Sequence, residues 1–160
     1  MRYLLDTNVV SNLRKLKPHS GLVAWLASVP RDAVFMSAPT VSEIQCGIGQ
    51  TREPAIAAAV DHWLSNMLHI GYPPVVPFDA DAARYFGRMW ATPSLDNFIR
   101  NDPRGKKRKS GADLAVTACA IAQGMAIVTE DNDYLQIHAA FPLPGLFSPF
   151  KGTWHVAPGD

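Results

Sequence analysis

The chain has 160 residues, the usual size of one domain, and this length is enough to bury a hydrophobic core. Apolar residues make up 48% and charged residues 18% of the composition, which excludes an intrinsically disordered chain. The formal net charge of +1 gives no overall signal for binding to nucleic acid.

In the amino-terminal half, short apolar runs alternate with segments of helical periodicity. The first run ends in an acid, Asp6, and predicts a buried strand. Ser20 is the predicted N-cap of a helix, since its hydroxyl can accept a hydrogen bond from the first turn. The elements predicted for this half are a strand over 2–6, a loop that opens a short helix over 7–16, a helix over 20–29, a strand over 34–37, and helices over 39–49 and 53–68.

The carboxyl-terminal half continues this alternation. The Pro73-Pro74 pair marks a turn before a third strand, and Gly124 is a suitable C-cap for a strongly apolar helix. The predicted elements are a strand over 75–78, a helix over 81–90, a long loop with a short helical piece over 91–111, a helix over 112–123, a strand over 126–129, and a fifth strand or irregular segment over 143–147.

Short strands that alternate with helices imply βαβ units and a parallel sheet covered on both faces. We therefore predict an α/β fold with three layers, helix, sheet and helix, around a central, mainly parallel sheet of four to five short strands. One domain is expected over 1–148, with a long basic loop over 91–111 inside it. The tail, 149–160, is expected to pack loosely or to reach a neighbouring molecule.

Acidic side chains follow the predicted strands and open the predicted helices. Asp6 ends the first strand and Asp131 follows the fourth, while Glu43 lies in the first turn of a helix after a strand. Because the carboxyl ends of parallel strands and the helix starts that follow share one edge, these three are expected to meet. Asp113, in the first turn of the helix before the fourth strand, joins them only if that helix enters from the same edge.

Clustered carboxylates repel one another unless a cation lies between them, and hard oxygen ligands favour Mg²⁺ or Mn²⁺. Such an ion can lower the pKa of a bound water and clamp a phosphate, and this chemistry needs no Cys, His or Ser nucleophile. The five histidines show no metal-ligand spacing, which argues against zinc.

The same acids also have purely structural interpretations, which the spacing leaves open. Glu43 fits a capping box with Thr40 as the N-cap, and Asp113 fits a weaker one after Ser110. Asp6 fits the start of an Asx turn.

Basic residues are concentrated in one segment, where six of the 15 fall within residues 100–109. A flexible cationic segment that leads into Asp113 would attract a nucleic-acid backbone without reading its sequence. A solvated loop that offsets the acidic charges is the other interpretation. The residues predicted to contact that backbone are Arg104, Lys106, Lys107, Arg108 and Lys109.

The two cysteines, Cys46 and Cys119, form no CxxC pair, which fits a reducing cytoplasm. No signal peptide opens the sequence, and no apolar run approaches the roughly 20 residues that a membrane helix needs. The expectation is a soluble cytoplasmic protein with no membrane partner.

Taken together, four segments resemble the motifs of the PIN-domain ribonucleases, in particular the VapC/FitB-like toxins of bacterial toxin–antitoxin pairs. The resemblance covers the chain from 3 to about 149, and its first motif is the most specific. The four segments are Leu4-Leu5-Asp6-Thr7-Asn8-Val9-Val10-Ser11, Val41-Ser42-Glu43-Ile44 with Gly47, Gly111-Ala112-Asp113-Leu114-Ala115-Val116-Thr117-Ala118, and Ile127-Val128-Thr129-Glu130-Asp131-Asn132-Asp133-Tyr134.

This resemblance implies a PIN fold and Mg²⁺- or Mn²⁺-dependent hydrolysis of RNA that leaves a 5′-phosphate and a 3′-hydroxyl. The nucleic acid that the basic residues are predicted to contact is then RNA. It also implies a homodimer and a cognate antitoxin as protein partners. The metal ligands and catalytic acids that it implies are Asp6, Glu43, Asp113 and Asp131. The side chains that it implies around those ligands are Thr7, Asn8, Thr129 and Asp133.

The fourth segment departs from the family pattern, in which many relatives have Thr-Arg-Asn, two further residues and then Asp-Phe. Here 129–134 is one residue shorter, which leaves open whether Asp131 or Asp133 faces a metal. Ser42 also stands where Gly is frequent, and the loop 91–111 is longer and more basic than expected.

Two other functions fit part of the pattern. A catalytically weak PIN domain would act as an RNA- or protein-binding module, but degenerate copies typically lose an acid and this set is intact. A haloacid-dehalogenase-type phosphatase also begins with a strand-terminal Asp, but it needs a second Asp where this chain has Asn8. No P-loop or dinucleotide-binding motif occurs.

Overall fold

Five short strands of this chain run parallel, because a helical segment connects each one to the next. The structure is a computed structural model, and it describes residues 1–100 and 110–159. The strands form one sheet in the order β3-β2-β1-β4-β5-β6. They are β1 (Tyr3–Leu5), β2 (Val34–Ser37), β3 (Val75–Val76), β4 (Ala126–Val128), β5 (Leu146–Ser148) and β6 (Thr153–Val156).

Seven α-helices are present in the described part of the chain, and they cover both faces of the sheet. None of them combines the length and the apolarity that crossing a membrane requires. They are α1 (Thr7–Leu13), α2 (Ser20–Ser28), α3 (Ala38–Gln50), α4 (Pro54–Ile70), α5 (Ala80–Trp90), α6 (Ala112–Gln123) and α7 (Asp133–Ala140), and short 3-10 turns lie at Arg31–Ala33 and Pro93–Phe98.

The three layers follow from the side-chain alternation along the central strand β1. Leu4 points into a core that α5, α6 and α7 complete, while Leu5 points into a core on the opposite face that α1 to α4 complete. Both leucines are fully buried. The predicted α/β class, with helices on both faces of a mainly parallel sheet, is therefore confirmed.

The sheet has six strands, whereas four to five were predicted. The additional strand β6 lies in the carboxyl-terminal segment and runs antiparallel to β5. Gly152 makes the turn between them with a φ of 67°, and Trp154 then packs on Phe147 with ring centroids 5.0 Å apart. These contacts join residues of the predicted tail to the edge of the sheet.

The start of α2 also differs from the prediction. Ser20 is the first helical residue, and the N-cap is His19, whose Nδ1 accepts a hydrogen bond from the backbone N–H of Gly21. The His19 ring stacks on Phe150 at 4.1 Å, which places its nitrogen at the helix start. A neighbouring imidazole therefore takes the role that the sequence pattern gave to a hydroxyl.

Candidate active site

The site lies where the strand order of the sheet reverses. The chain builds β1, β2 and β3 outward in one direction and then crosses back to place β4 on the other side of β1. Asp6 follows β1 directly and Thr129 follows β4 directly, so both side chains stand at the carboxyl edge of this switch point. Crevices at such points are the usual ligand sites of open α/β sheets.

Asp6 is only 3% exposed, and four donors hold its carboxylate. Oδ1 accepts hydrogen bonds from the backbone N–H of Thr7 at 2.8 Å and from the hydroxyl of Tyr134 at 2.9 Å. Oδ2 accepts from Nδ2 of Asn8 at 2.7 Å and from Oγ1 of Thr129 at 2.8 Å. Four donors are about as many as a carboxylate can accept, so the orientation of Asp6 is strongly fixed.

The ionisation of Asp6 reflects two opposing effects. Its pKa is raised overall from 3.8 to about 6, and the largest cause is burial, because a charged carboxylate loses its hydration. The hydrogen bonds from Thr129, Tyr134 and Thr7 act in the other direction, and the negative charge of Glu43 adds to the increase. The buried hydroxyl of Tyr134 has a pKa well above its usual value, first through burial and then through the charge of Asp6.

Glu43 reaches the site from α3, and its contact is different from the predicted one. The N-cap of α3 is Ser37, whose Oγ accepts from the N–H of Thr40 at 3.2 Å, so the capping box with Thr40 as N-cap is wrong. Glu43 therefore lies beyond the first turn. Its Oε2 accepts a 2.6 Å hydrogen bond from Oγ1 of Thr7, which ties α3 to the end of β1.

Asp113 lies in the first turn of α6, as predicted. Gly111 precedes this helix with a φ of 68°, and the N–H of Ala112 donates to Oγ of Ser110 at 3.3 Å. The pKa of Asp113 is raised from 3.8 to about 7, first by burial and then by the negative charges of four other acids. In order of effect, those acids are Asp6, Glu43, Asp131 and Asp133. All the predicted acids are thus close enough to interact electrostatically.

The two acids after β4 have different local roles. The N–H of Asp131 donates to Oγ1 of Thr129 at 3.0 Å, which joins Asp131 to the residues around Asp6. Its Oδ1 accepts from the N–H of Asp133 at 2.9 Å and so starts α7 with an Asx-type turn. Asp133 is exposed, whereas Asp131 is half-buried.

A hard divalent cation fits the chemistry of these side chains, because oxygen atoms of carboxylates are the ligands that such a cation prefers. The negative charges of these carboxylates also raise each other's pKa, which a cation would offset. Within residues 1–100 and 110–159, however, no three His, Cys, Asp or Glu side chains are arranged to hold a metal ion. Hydrogen bonds from Thr7, Asn8 and Thr129 occupy carboxylate oxygens of Glu43 and Asp6 that a cation would take. The donor chemistry fits, and ligation requires some of these bonds to rearrange.

Two residues that the sequence reasoning did not single out belong to the site. Tyr134 is fully buried in the core, yet its hydroxyl contacts Asp6. A buried tyrosine usually has a hydrogen-bond partner for its hydroxyl, and that expectation was the available signal. Glu130 accepts from Oγ of Ser148 at 2.8 Å and from the N–H of Phe150 at 2.9 Å, so it ties the end of β4 to the turn after β5.

A cavity of about 780 Å³ opens beside Glu43, between α3, α6 and Phe78. The predicted RNA contacts lie outside the described residues. They are Arg104, Lys106, Lys107, Arg108 and Lys109.

Comparison with known proteins gives a consistent result. The family model described as "PIN domain" matches residues 3–140. The chain is 29% identical over 130 residues to VapC ribonuclease Y4jK of Sinorhizobium fredii, which covers 81% of this chain and 86% of that protein. It is 26% identical over 130 residues to toxin FitB of Neisseria gonorrhoeae, covering 81% and 87%. The crystal structure of FitAcB from Neisseria gonorrhoeae superposes with a TM-score of 0.68 at 24% identity, covering 92% of this chain and 98% of that chain.

Proposed function

Because the chain belongs to the PIN-domain family, we propose that it is a metal-dependent endoribonuclease and the toxin of a toxin–antitoxin pair. The observation that supports this best is the convergence of Asp6, Glu43 and Asp113 at the switch point of the sheet, where burial and then the charges of the neighbouring acids raise the pKa of Asp113 to about 7. Similarity to a VapC ribonuclease and to toxin FitB supports the choice of RNA and of the toxin role.

In this proposal Asp6, Glu43, Asp113 and Asp131 hold Mg²⁺ or Mn²⁺. When bound, the ion would lower the pKa of a water molecule and neutralise negative charge on the cleaved phosphate. A bound cation would also relieve the repulsion among the acids. The pKa of Asp113 would then fall, and its carboxyl would be ionised at neutral pH.

The other side chains of the chain position these acids. Thr7 orients Glu43 through its hydroxyl, while Asn8 and Thr129 orient Oδ2 of Asp6. The Tyr134 hydroxyl and the Thr7 N–H hold Oδ1. Asn8 is exposed, so among the four donors it is the one that can most easily move away from Asp6 when a cation binds. Asp133 opens α7 and adds negative charge at the rim.

The reaction is hydrolysis of a phosphodiester bond. Water attacks phosphorus, the bond from phosphorus to the 3′ oxygen breaks, and that oxygen takes a proton. The products are a 5′-phosphate and a 3′-hydroxyl. The proposal also includes two protein partners, a cognate antitoxin and a second copy of this chain, and action in the cytoplasm.

The test is cleavage of total RNA by the purified protein with Mg²⁺ or Mn²⁺. Controls are EDTA, Asp6→Ala and the isosteric Asp6→Asn, which removes the charge and keeps the volume. Discrete fragments with 5′-phosphate ends that disappear in all three controls are expected. Binding of RNA without any cleavage, in protein that binds metal, would favour a catalytically weak RNA-binding module instead.

A further inference from the structure

The cavity beside Glu43 is not explained by metal binding. Its volume of about 780 Å³ falls in the range of small-molecule sites, and it is partly open to solvent. Small side chains on α3 and α6 leave this space free. They are Ala38, Gly47, Ala112 and Ala115.

Phe78 provides an aromatic surface at this cavity. It follows β3 and precedes α5, and it remains 38% exposed although its side chain is large and apolar. Phe86 supports the ring edge-to-face at 5.8 Å and 79°, and Trp90 supports Phe86 in the same way at 5.3 Å. The Phe78 ring is therefore held by its neighbours and still accessible from the cavity.

Polar groups lie on the α3 side of the same cavity. Gln50 is exposed, and its Nε2 donates to the sulfur of Cys46 at 3.2 Å, a weak acceptor that an incoming carbonyl can replace. Ser42 is also exposed and lines the cavity. An amide and a hydroxyl together offer donors and acceptors to the edge of a planar heterocycle.

We propose that this cavity is a nucleobase subsite, in which the base next to the cleaved bond stacks on Phe78 and hydrogen-bonds to Gln50 and Ser42. The inference rests on the proposed ribonuclease function. Glu43 lines the cavity and is also one of the acids of the cleavage site, so a nucleotide adjoining the cleaved phosphate reaches both. Unstacked RNA bases bind aromatic side chains in this way, and a cavity made of an aromatic ring, small apolar walls and an amide matches that ligand.

The test uses a short oligoribonucleotide that the wild-type protein cuts, and a series in which each nucleotide around the cut is made abasic in turn. We expect one abasic position to raise KM for wild type by about 5- to 150-fold with little change in kcat. Phe78→Ala should raise KM for the intact substrate by a similar factor, and the abasic effect at that position should then vanish. Phe78→Trp, which keeps an aromatic surface, should retain both the wild-type KM and the abasic effect.

Leu135→Ala is the matched control, because Leu135 is a 40% exposed apolar residue on α7 that does not line the cavity. Equal abasic effects in wild type and Phe78→Ala would overturn the nucleobase subsite, while cleavage itself would still support the ribonuclease. Loss of antitoxin binding in Phe78→Ala, with RNA kinetics unchanged, would assign the cavity to a protein segment and also overturn the inference. Failure of wild type to cut or bind any RNA would refute the proposed function instead.

Discussion

Replacing Asp113 by Asn should stabilise the metal-free protein at pH 8 far more than at pH 5. Folding raises the pKa of this carboxyl from 3.8 to about 7, first by burial and then through the neighbouring acids. The folded state therefore binds more protons than the unfolded state between these two values, and stability falls as the pH rises through that window. An uncharged Asn removes this dependence.

The magnitude follows from the shift. At 1.36 kcal/mol per pKa unit, the raised pKa of Asp113 lowers the free energy of unfolding by at most about 4 kcal/mol at pH 8. At pH 5 the same shift lowers it by less than half of that amount. Relaxation of water and side chains around a half-buried acid reduces the cost, so we expect a gain of about 2 kcal/mol at pH 8. For a chain of this length, that gain raises Tm by about 4–8 °C.

The assay is thermal and urea unfolding in EDTA at half-unit steps from pH 5 to pH 8. Asp61→Asn is the control, because Asp61 is an exposed acid on α4. Adding Mg²⁺ or Mn²⁺ should reverse the order, since binding to the folded state stabilises wild type and the variant has lost a proposed ligand. A gain of equal size at pH 5 and pH 8, or none at all, would refute the claim that Asp113 carries this electrostatic cost.

Three further changes address other parts of the site. Tyr134→Phe removes the hydroxyl that holds Asp6, and calorimetry should show Mn²⁺ binding weakened by about 10-fold or more with the fold retained; unchanged affinity would contradict this. Glu130→Ala removes the acceptor of the buried Ser148 hydroxyl, which then keeps only the N–H of Lys151 as a partner, and should lower the free energy of unfolding by about 1–3 kcal/mol in urea, whereas a neutral result would mean the turn is held elsewhere. Replacing the four basic residues of 106–109 by Ala should weaken RNA binding and reduce its salt slope by up to about 3, and an unchanged slope would remove them from the interface.

Much of the fold could be predicted, because apolar periodicity is a local signal. The bounds predicted for α6 match, since a strongly apolar helix ends at Gly124 in the left-handed conformation. Strand β6 gave no such signal, because three of its four residues are exposed and its pairing depends on Trp154 packing against Phe147, a contact between separate segments. Helix α7 was missed for a related reason, since it has eight residues and begins in a polar turn.

The meeting of the acids could also be predicted, because it follows from topology: acids after parallel strands share one edge. Capping could not be predicted as well, since Ser37 and Thr40 are both good N-cap residues, and the helix begins as soon as β2 ends. In the structure Ser37 serves as the cap, and Glu43 is thereby free to accept from Thr7. The predicted capping box assigned Glu43 to the start of the helix, and for this reason its hydrogen bond with Thr7 was not predicted.

Tyr134 marks the limit of reasoning from sequence. A buried tyrosine is expected to find a hydrogen-bond partner, so the sequence indicates that the hydroxyl needs one without naming it. The partner, Asp6, lies 128 positions earlier in the chain. They meet because β1 and β4 are adjacent and in register, with Leu5 opposite Val128, so the residues that follow each strand occupy one crevice. That register places the Tyr134 hydroxyl beside the aspartate as a hydrogen-bond donor, and a pairing between such distant positions follows from the sheet and not from any local pattern in the sequence.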